Sequence, residues 1–233
     1  RNILLNPGPV TTTDTVKYAQ VIPDICPREE EFGKMMGQIR KDLVRIVKGD
    51  GNYTSVLFAG SGTAMMDACV NSVDPQDKKI AIINNGAYGE RLVKIANSYR
   101  IPLVEISFKW DETPDLKKIE DALGKDKDIV CVAMIHHETT TGMLNPIKEI
   151  GDIVKKNNCI FIVDTVSSFA GIPINIKDCK IDFMFSASNK CIQGMAGLSF
   201  VICRKDELEK TKKYFPMSFY LNLFQQYDYF EKK

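Results

Sequence analysis

The sequence carries almost no net charge, its 31 basic and 30 acidic residues leaving +1. That excludes a broad electrostatic footprint for a nucleic-acid backbone or an anionic membrane, so any anion bound here is held locally. It has no C-x-x-C pair. The seven cysteines, at positions 26, 69, 131, 159, 179, 191 and 203, are scattered and odd in number. Such usage argues against a disulfide framework and a structural zinc site, and fits a reducing cytosol. No apolar run reaches the roughly 18 residues of a membrane span, and proline breaks the opening RNILLNPGPV too early for a secretory signal. A cytoplasmic protein is expected. Internal repeats, low-complexity tracts and long Gly/Ser linkers are also lacking. The only two histidines, His136 and His137, are adjacent. On an extended chain they point to opposite faces, so together with Glu138 they are not expected to bind a metal.

What is present is apolar patterning. With 233 residues and 44% hydrophobic content, the chain can bury a sizeable core in one large domain or two small ones. Short runs rich in Val, Ile and Phe alternate with segments of helical period. Strands are expected over 54–58, 79–83, 103–108, 129–135, 160–163, 183–186 and 198–203. Helices are expected over 33–47, 63–73, 89–99, 116–123 and 147–156, where apolar residues recur at spacings of three and four. This alternation is the signature of an α/β fold with a mostly parallel, seven-stranded sheet between helices, in three α/β/α layers. Such sheets bind ligands beyond the carboxyl ends of their strands. The segment 206–230 reads as partly helical and aromatic-rich, with an apolar face that needs further cover.

Three strand ends carry chemistry. After the first expected strand comes Gly60-Ser61-Gly62-Thr63 at a helix start, where glycines admit an anion and N–H groups with the helix dipole bind it. It is neither a Walker loop nor a three-glycine dinucleotide loop, and an ordinary turn capped by Ser61 or Thr63 is the alternative. The run Phe161-Ile162-Val163-Asp164 delivers a carboxylate into a low-dielectric crevice, where it needs a cation or serves as a helix cap. The run Phe185-Ser186-Ala187-Ser188-Asn189-Lys190 delivers a lysine. In such a crevice an amine can act as a nucleophile, the alternative being a solvated surface lysine. One cofactor, pyridoxal 5'-phosphate, calls for all three groups: a phosphate cradle, a lysine for its aldehyde and a carboxylate beside its pyridine nitrogen. Tyr88, in Asn84-Asn85-Gly86-Ala87-Tyr88, can lie on a heteroaromatic ring or pack on its own helix. The run His136-His137-Glu138-Thr139-Thr140-Thr141 offers hydroxyls for the ring oxygen. Cys191, beside the lysine, is expected to be a buried, inert thiol.

These loops, with Leu4-Leu5-Asn6-Pro7-Gly8-Pro9, Thr139-Thr140-Thr141-Gly142-Met143-Leu144-Asn145-Pro146 and Asn189-Lys190-Cys191-Ile192-Gln193-Gly194, resemble the class V, fold-type I pyridoxal-phosphate aminotransferases in order and spacing. The resemblance implies that Lys190 is the Schiff-base lysine and proton shuttle, and Asp164 the partner of the pyridinium. It implies further that Tyr88 and Val166 flank the ring, that Thr139 reaches its hydroxyl, and that Ser61, Gly62, Thr63 and Asn189 hold the phosphate. Within the family the motifs are most similar to the branch that passes the amino group of 2-aminoethylphosphonate to pyruvate, forming phosphonoacetaldehyde and L-alanine. Alanine–glyoxylate or serine–pyruvate chemistry is the alternative, and a truncated, non-catalytic cofactor-binding or dimerisation fragment is a third reading. Cysteine desulfurases place a histidine before the lysine, where this chain has Asn189. The expected organisation is an N-terminal arm over 1–20, a cofactor-binding large domain over 21–205, and over 206–233 the start of a connection to a small C-terminal domain that this chain lacks. Family members are homodimers acting on small amines and 2-oxo acids, which the resemblance extends to this chain.

Overall fold

The computed structural model describes residues 3–73, 77–215 and 217–232. The elements run α1 (Asp14–Tyr18), α2 (Glu30–Ile46), β1 (Tyr53–Ala59), α3 (Gly62–Ser72), β2 (Lys79–Asn84), α4 (Ala87–Ser98), β3 (Leu103–Ser107), α5 (Leu116–Lys125) and β4 (Ile129–Ile135). They continue as β5 (His137–Glu138), β6 (Met143–Leu144), α6 (Ile147–Lys156), β7 (Ile160–Asp164), β8 (Phe183–Ala187), β9 (Leu198–Arg204), α7 (Lys205–Thr211) and α8 (Leu223–Glu231). Seven strands form one sheet in the order β1-β9-β8-β7-β4-β2-β3. β9 runs antiparallel to both of its neighbours, and the remaining pairs are parallel. The expected mostly parallel sheet of seven strands is therefore present, and each expected strand lies within a residue or two of an observed one.

Strand alternation distributes the core to two faces. Along β4, Val132 and Met134 join α2, α5 and α6 in one apolar cluster, whereas Cys131, Ala133 and Ile135 join α3, α4, α7 and α8 in the other. The strands are thus buried on both faces, which is why they read as continuous apolar runs rather than alternating ones. Each large side chain so buried stabilises the fold by about 1.5–3 kcal/mol.

Four features depart from expectation, the first being helix α1, capped by Thr13 within the stretch read as an N-terminal arm. Helix α2 begins at Glu30, three residues earlier than expected, because Glu30 and Glu31 put acidic charge at the positive end of the helix dipole. The two-stranded pair β5–β6 was not foreseen, since two residues per strand leave no periodic trace. The 206–230 segment covers part of its own apolar face: Leu223 is fully buried and Phe230 packs against both clusters, while Phe215, Phe219, Tyr220 and Tyr229 stay exposed.

The amino-terminal edge of the sheet is closed by ion pairing. Asp182 accepts the Phe161 N–H at 2.7 Å and pairs with Lys155 and with Arg204, whose Nη1 lies 2.8 Å from Oδ1. Burial pushes this carboxyl up despite the two cations. The opposite edge, where β1, β2, β4, β7 and β8 end, is left to the loops.

Candidate active site

A cleft of about 210 Å³ opens at that carboxyl edge. Its walls contain Ser61, Gly62, Thr63, Tyr88, Thr139, Asp164, Val166, Asn189 and Lys190. All nine residues singled out from sequence therefore meet in one place, although they come from five separate strand-end loops.

The cradle follows β1. Ser61 is the N-cap of α3, its Oγ accepting the Ala64 N–H at 3.4 Å. The capping role and the open anion site coexist, because a cap satisfies only one of the free N–H groups of the first turn. A Cβ on Gly62 would come 2.9 Å from Val166 Cγ2, so glycine is what lets the cradle close against the β7 loop. Thr63 Oγ1 accepts from Arg91 Nη1 at 2.9 Å.

The second wall follows β2. Helix α4 has Gly86 at its N-cap, with no side chain to cap it. The fully buried Glu138 of β5 fills that role, its Oε2 accepting from the Tyr88 and Gly89 N–H groups at 3.2 and 3.3 Å, and its Oε1 from the Thr140 hydroxyl at 2.6 Å. A carboxylate at a helix N-terminus is favoured by the dipole as well as by these donors. Gly86 makes room for it, since a Cβ there would lie 2.2 Å from Glu138 Cγ. The tyrosine is thereby held at the cleft wall, partly packed on the core below and carrying the Arg91 guanidinium 4.6 Å from its ring centroid.

The floor is β7. The sheet register aligns Asp164 with Ile135 on β4 and Phe185 on β8, placing the carboxyl at the strand end. Asp164 is only 3% exposed and its carboxyl is pushed up to about 7. Burial is the main cause, the Val166 N–H opposes it, Glu138 adds to it, and Arg91 and Lys190 pull the other way. The Val166 N–H donates to Oδ1 at 2.7 Å within a turn, so the residue caps no helix. The two histidines separate as expected. His136 is buried, with Nδ1 2.9 Å from Ser168 Oγ, and is driven down to about 4 chiefly by that burial. His137 lines the cleft, with Nδ1 3.3 Å from the Ser167 carbonyl oxygen. Thr139 Oγ1 lies 2.5 Å from Ser167 Oγ, which fixes its hydroxyl at the cleft.

Lys190 follows β8, is half-buried, and has no carboxylate within ion-pair distance among the described residues. The chain start packs on it. The Val10 N–H donates to the Asn189 carbonyl oxygen at 3.2 Å. Gly8 has φ of +152°, and a Cβ there would lie 2.2 Å from Lys190 Cδ, so only glycine lets this segment touch the lysine stem. One expectation fails. Cys191 is exposed, not buried, because the turn after the lysine carries its sulfur to the surface, 3.6 Å from the Ser167 carbonyl oxygen.

Sequence reasoning passed over Arg91, Ser167 and Met66, and met His137 only as a metal candidate; all four line the cleft. Arg91 was within reach, because it lies three residues after Tyr88 on the same helix and so on the same face.

Comparison with known proteins agrees with this geometry. The family model described as aminotransferase class-V matches residues 13–229. A bifunctional phosphonoacetaldehyde hydrolase/aminoethylphosphonate transaminase of Clostridioides difficile (strain 630) is 44% identical over 231 residues, covering 99% of this chain and 36% of that protein. A 2-aminoethylphosphonate–pyruvate transaminase of Lysinibacillus sphaericus (strain C3-41) is 43% identical over 230 residues, covering 98% of this chain and 62% of that protein. This chain thus spans less than two thirds of the length of either relative. The crystal structure of alanine–glyoxylate aminotransferase from Nostoc sp. superposes with a TM-score of 0.91 at 26% identity, over 98% of this chain and 60% of that one.

Pyridoxal 5'-phosphate, the cofactor of such enzymes, fits the cleft on three counts. Among the described residues, the lysine that faces it has no carboxylate within ion-pair distance and the buried carboxyl at its floor has no cation within that distance, and a glycine-lined helix start closes one end.

Proposed function

Because this chain belongs to the class-V aminotransferases, we propose that it moves the amino group of 2-aminoethylphosphonate onto pyruvate, yielding phosphonoacetaldehyde and L-alanine. The observation that carries the reading is the meeting of Lys190, Asp164 and the Ser61–Gly62–Thr63 helix start in one cleft. The substrates rest on the names of the relatives that are 44% and 43% identical. The cofactor, when bound, supplies an aldehyde that carries the amino group and a ring that takes up electrons from the substrate carbon.

The residues divide the remaining work. With the cofactor bound, the Lys190 amine would serve as the general base that takes the proton from the substrate carbon and as the acid that gives it back. The Asp164 carboxylate keeps the ring nitrogen protonated. In return, the cation beside it lets Asp164 ionise at its buried position, so each group stabilises the other's charge. Tyr88 and Val166 would hold the ring, and Thr139, braced by Ser167, would hold its hydroxyl. Ser61, Gly62, Thr63 and Asn189 hold the phosphate. In domain terms, 1–20 acts as an arm, 21–205 as the cofactor domain and 206–233 as a connection. A homodimer is part of the proposal, supported by exposed apolar side chains such as Leu5, Val21, Phe215 and Phe219. So is a cytoplasmic location; among the described residues no helix is long and apolar enough to cross a membrane. The likeness to alanine–glyoxylate aminotransferase favours a second reading, with glyoxylate as acceptor.

An absorbance titration tests this. The chain and its Lys190→Ala variant are loaded with pyridoxal 5'-phosphate and given 2-aminoethylphosphonate, L-alanine, glycine or serine. The expected result is a near-visible band that requires Lys190 and is discharged by 2-aminoethylphosphonate and by L-alanine, with phosphonoacetaldehyde released from the former. Discharge by L-alanine and glycine alone transfers the assignment to the glyoxylate reaction. A band that ignores every amine refutes the activity for this chain, and no Lys190-dependent band refutes the cofactor site.

A further inference from the structure

Arg91 is the cleft residue with the least to do in the structure as it stands. It sits in the second turn of α4, half-buried, among the residues that line the cleft beside Ser61, Gly62 and Thr63. Its guanidinium lies 4.6 Å from the Tyr88 ring centroid, and Nη1 donates to Thr63 Oγ1 at 2.9 Å. Among the described residues it makes no ion pair, although Arg40 and Arg204 each have a carboxylate within 2.8 Å. A guanidinium has five N–H donors in a rigid fork, of which this hydrogen bond uses one. A partly desolvated cation without an anion is unfavourable. Its placement adds to the cost, because Thr63 lies in the first turn of α3, where the helix dipole is already positive. Two positive groups converge on one hydroxyl, an arrangement that is favourable once an anion lies between them.

Resting on the cofactor reading above, we propose that Arg91 is a direct ligand of the cofactor phosphate, and that the cradle is a hydroxyl-and-amide cup completed by a guanidinium from the neighbouring helix. The planar fork suits a phosphate's oxygens, and a lysine at the same place would act only as a point charge. The stack on Tyr88 has a second consequence. The residue that grips the phosphate also supports the ring-stacking tyrosine, so the phosphate end and the ring face are positioned together by one side chain. Arg91 is also among the charges that hold Asp164 down, and its field therefore reaches the ring-nitrogen end of the cleft.

The test uses two forms of the cofactor. Wild type, Arg91→Gln and Arg91→Lys are titrated with pyridoxal 5'-phosphate and with pyridoxal, which has the same aldehyde and ring but no phosphate. Lys190-dependent absorbance reads binding, and circular dichroism with urea unfolding checks the fold of each variant. Arg91→Gln is expected to weaken pyridoxal 5'-phosphate by about 10- to 100-fold, the equivalent of one charge-assisted contact, and to weaken pyridoxal by no more than about 5-fold, the share that reaches the ring through Tyr88 and Asp164. Arg91→Lys is expected to recover part of the loss, and the salt dependence of phosphate-form binding is expected to flatten in Arg91→Gln. Equal weakening of both forms, or no weakening of either, overturns the assignment of Arg91 while the cofactor site stands. Absence of a Lys190-dependent band in wild type overturns both together. Should Arg91→Gln fold poorly, Arg91→Lys carries the comparison: it too must discriminate between the two forms, and its failure to do so overturns the proposal.

Discussion

Titrating the cofactor-free chain from pH 4 to pH 8 puts the buried carboxyl of the cleft to a quantitative test. Asp164 sits at about 7 in the folded chain against an ordinary value of 3.8. Between those values the folded state keeps a proton that the unfolded chain has released, so stability falls as pH rises through the window and levels off above 7. Some three pH units at 1.36 kcal/mol each give a loss of up to about 4 kcal/mol. The raw curve is not expected to show it. His136, held at about 4 against an ordinary 6.5, works in the opposite sense: below 6.5 the unfolded chain binds a proton that the folded chain refuses, so stability rises with pH over nearly the same range. The two slopes largely cancel. Arg91 and Lys190 are the cations that face Asp164, and Glu138 is the carboxylate.

The informative quantity is therefore the difference between wild type and Asp164→Asn, which preserves shape and the acceptor for the Val166 N–H but cannot titrate. Urea unfolding at each pH is expected to give a variant whose advantage over wild type grows from near zero at pH 4 to several kcal/mol at pH 7, then stays flat. Added pyridoxal 5'-phosphate is expected to unmask the opposed His136 slope, so that wild-type stability rises between pH 4 and pH 6.5, because a cation beside Asp164 removes the reason for its protonation. A difference that does not change between pH 4 and pH 8 refutes the reasoning.

Two further substitutions test the packing around the cleft. Gly86→Ala places a methyl 2.2 Å from Glu138 Cγ in a backbone conformation, φ 174°, that any residue adopts; displacing the capping carboxylate is expected to cost about 2–4 kcal/mol in urea unfolding, and a change under about 0.5 kcal/mol shows that Glu138 is not held as described. Gly37→Ala is its opposite, since a Cβ in mid-α2 meets nothing within 4 Å; a gain of about 0.5–1 kcal/mol is expected from the lower entropy of the unfolded chain, and a loss means α2 is crowded there.

Most of the site was legible in the sequence because its chemistry is carried by residues that directly follow apolar strands, and a strand's end is visible in the run that precedes it. Asp164 and Lys190 each close such a run, and the Gly60–Thr63 turn separates one from a helix. The opposed histidines were legible from strand alternation alone, and Arg91 was within reach of helical period. The exposure of Cys191 was not, because whether a turn directs a side chain inward depends on what packs over it.

Sequence by itself determined the seven sheet strands, five of the helices and the two-sided burial of the sheet, since these follow from local period, and its motifs, through their resemblance to the class V family, picked out the nine cleft residues. Only the tertiary structure decided the strand order that brings five loops to one edge, the capping of α4 by Glu138 across some fifty residues of chain, the approach of Gly8 to the lysine stem, and the height of the Asp164 carboxyl. These depend on distances between segments remote in sequence and on how completely water is excluded from between them, and both are properties of the packed chain that no spacing along it encodes.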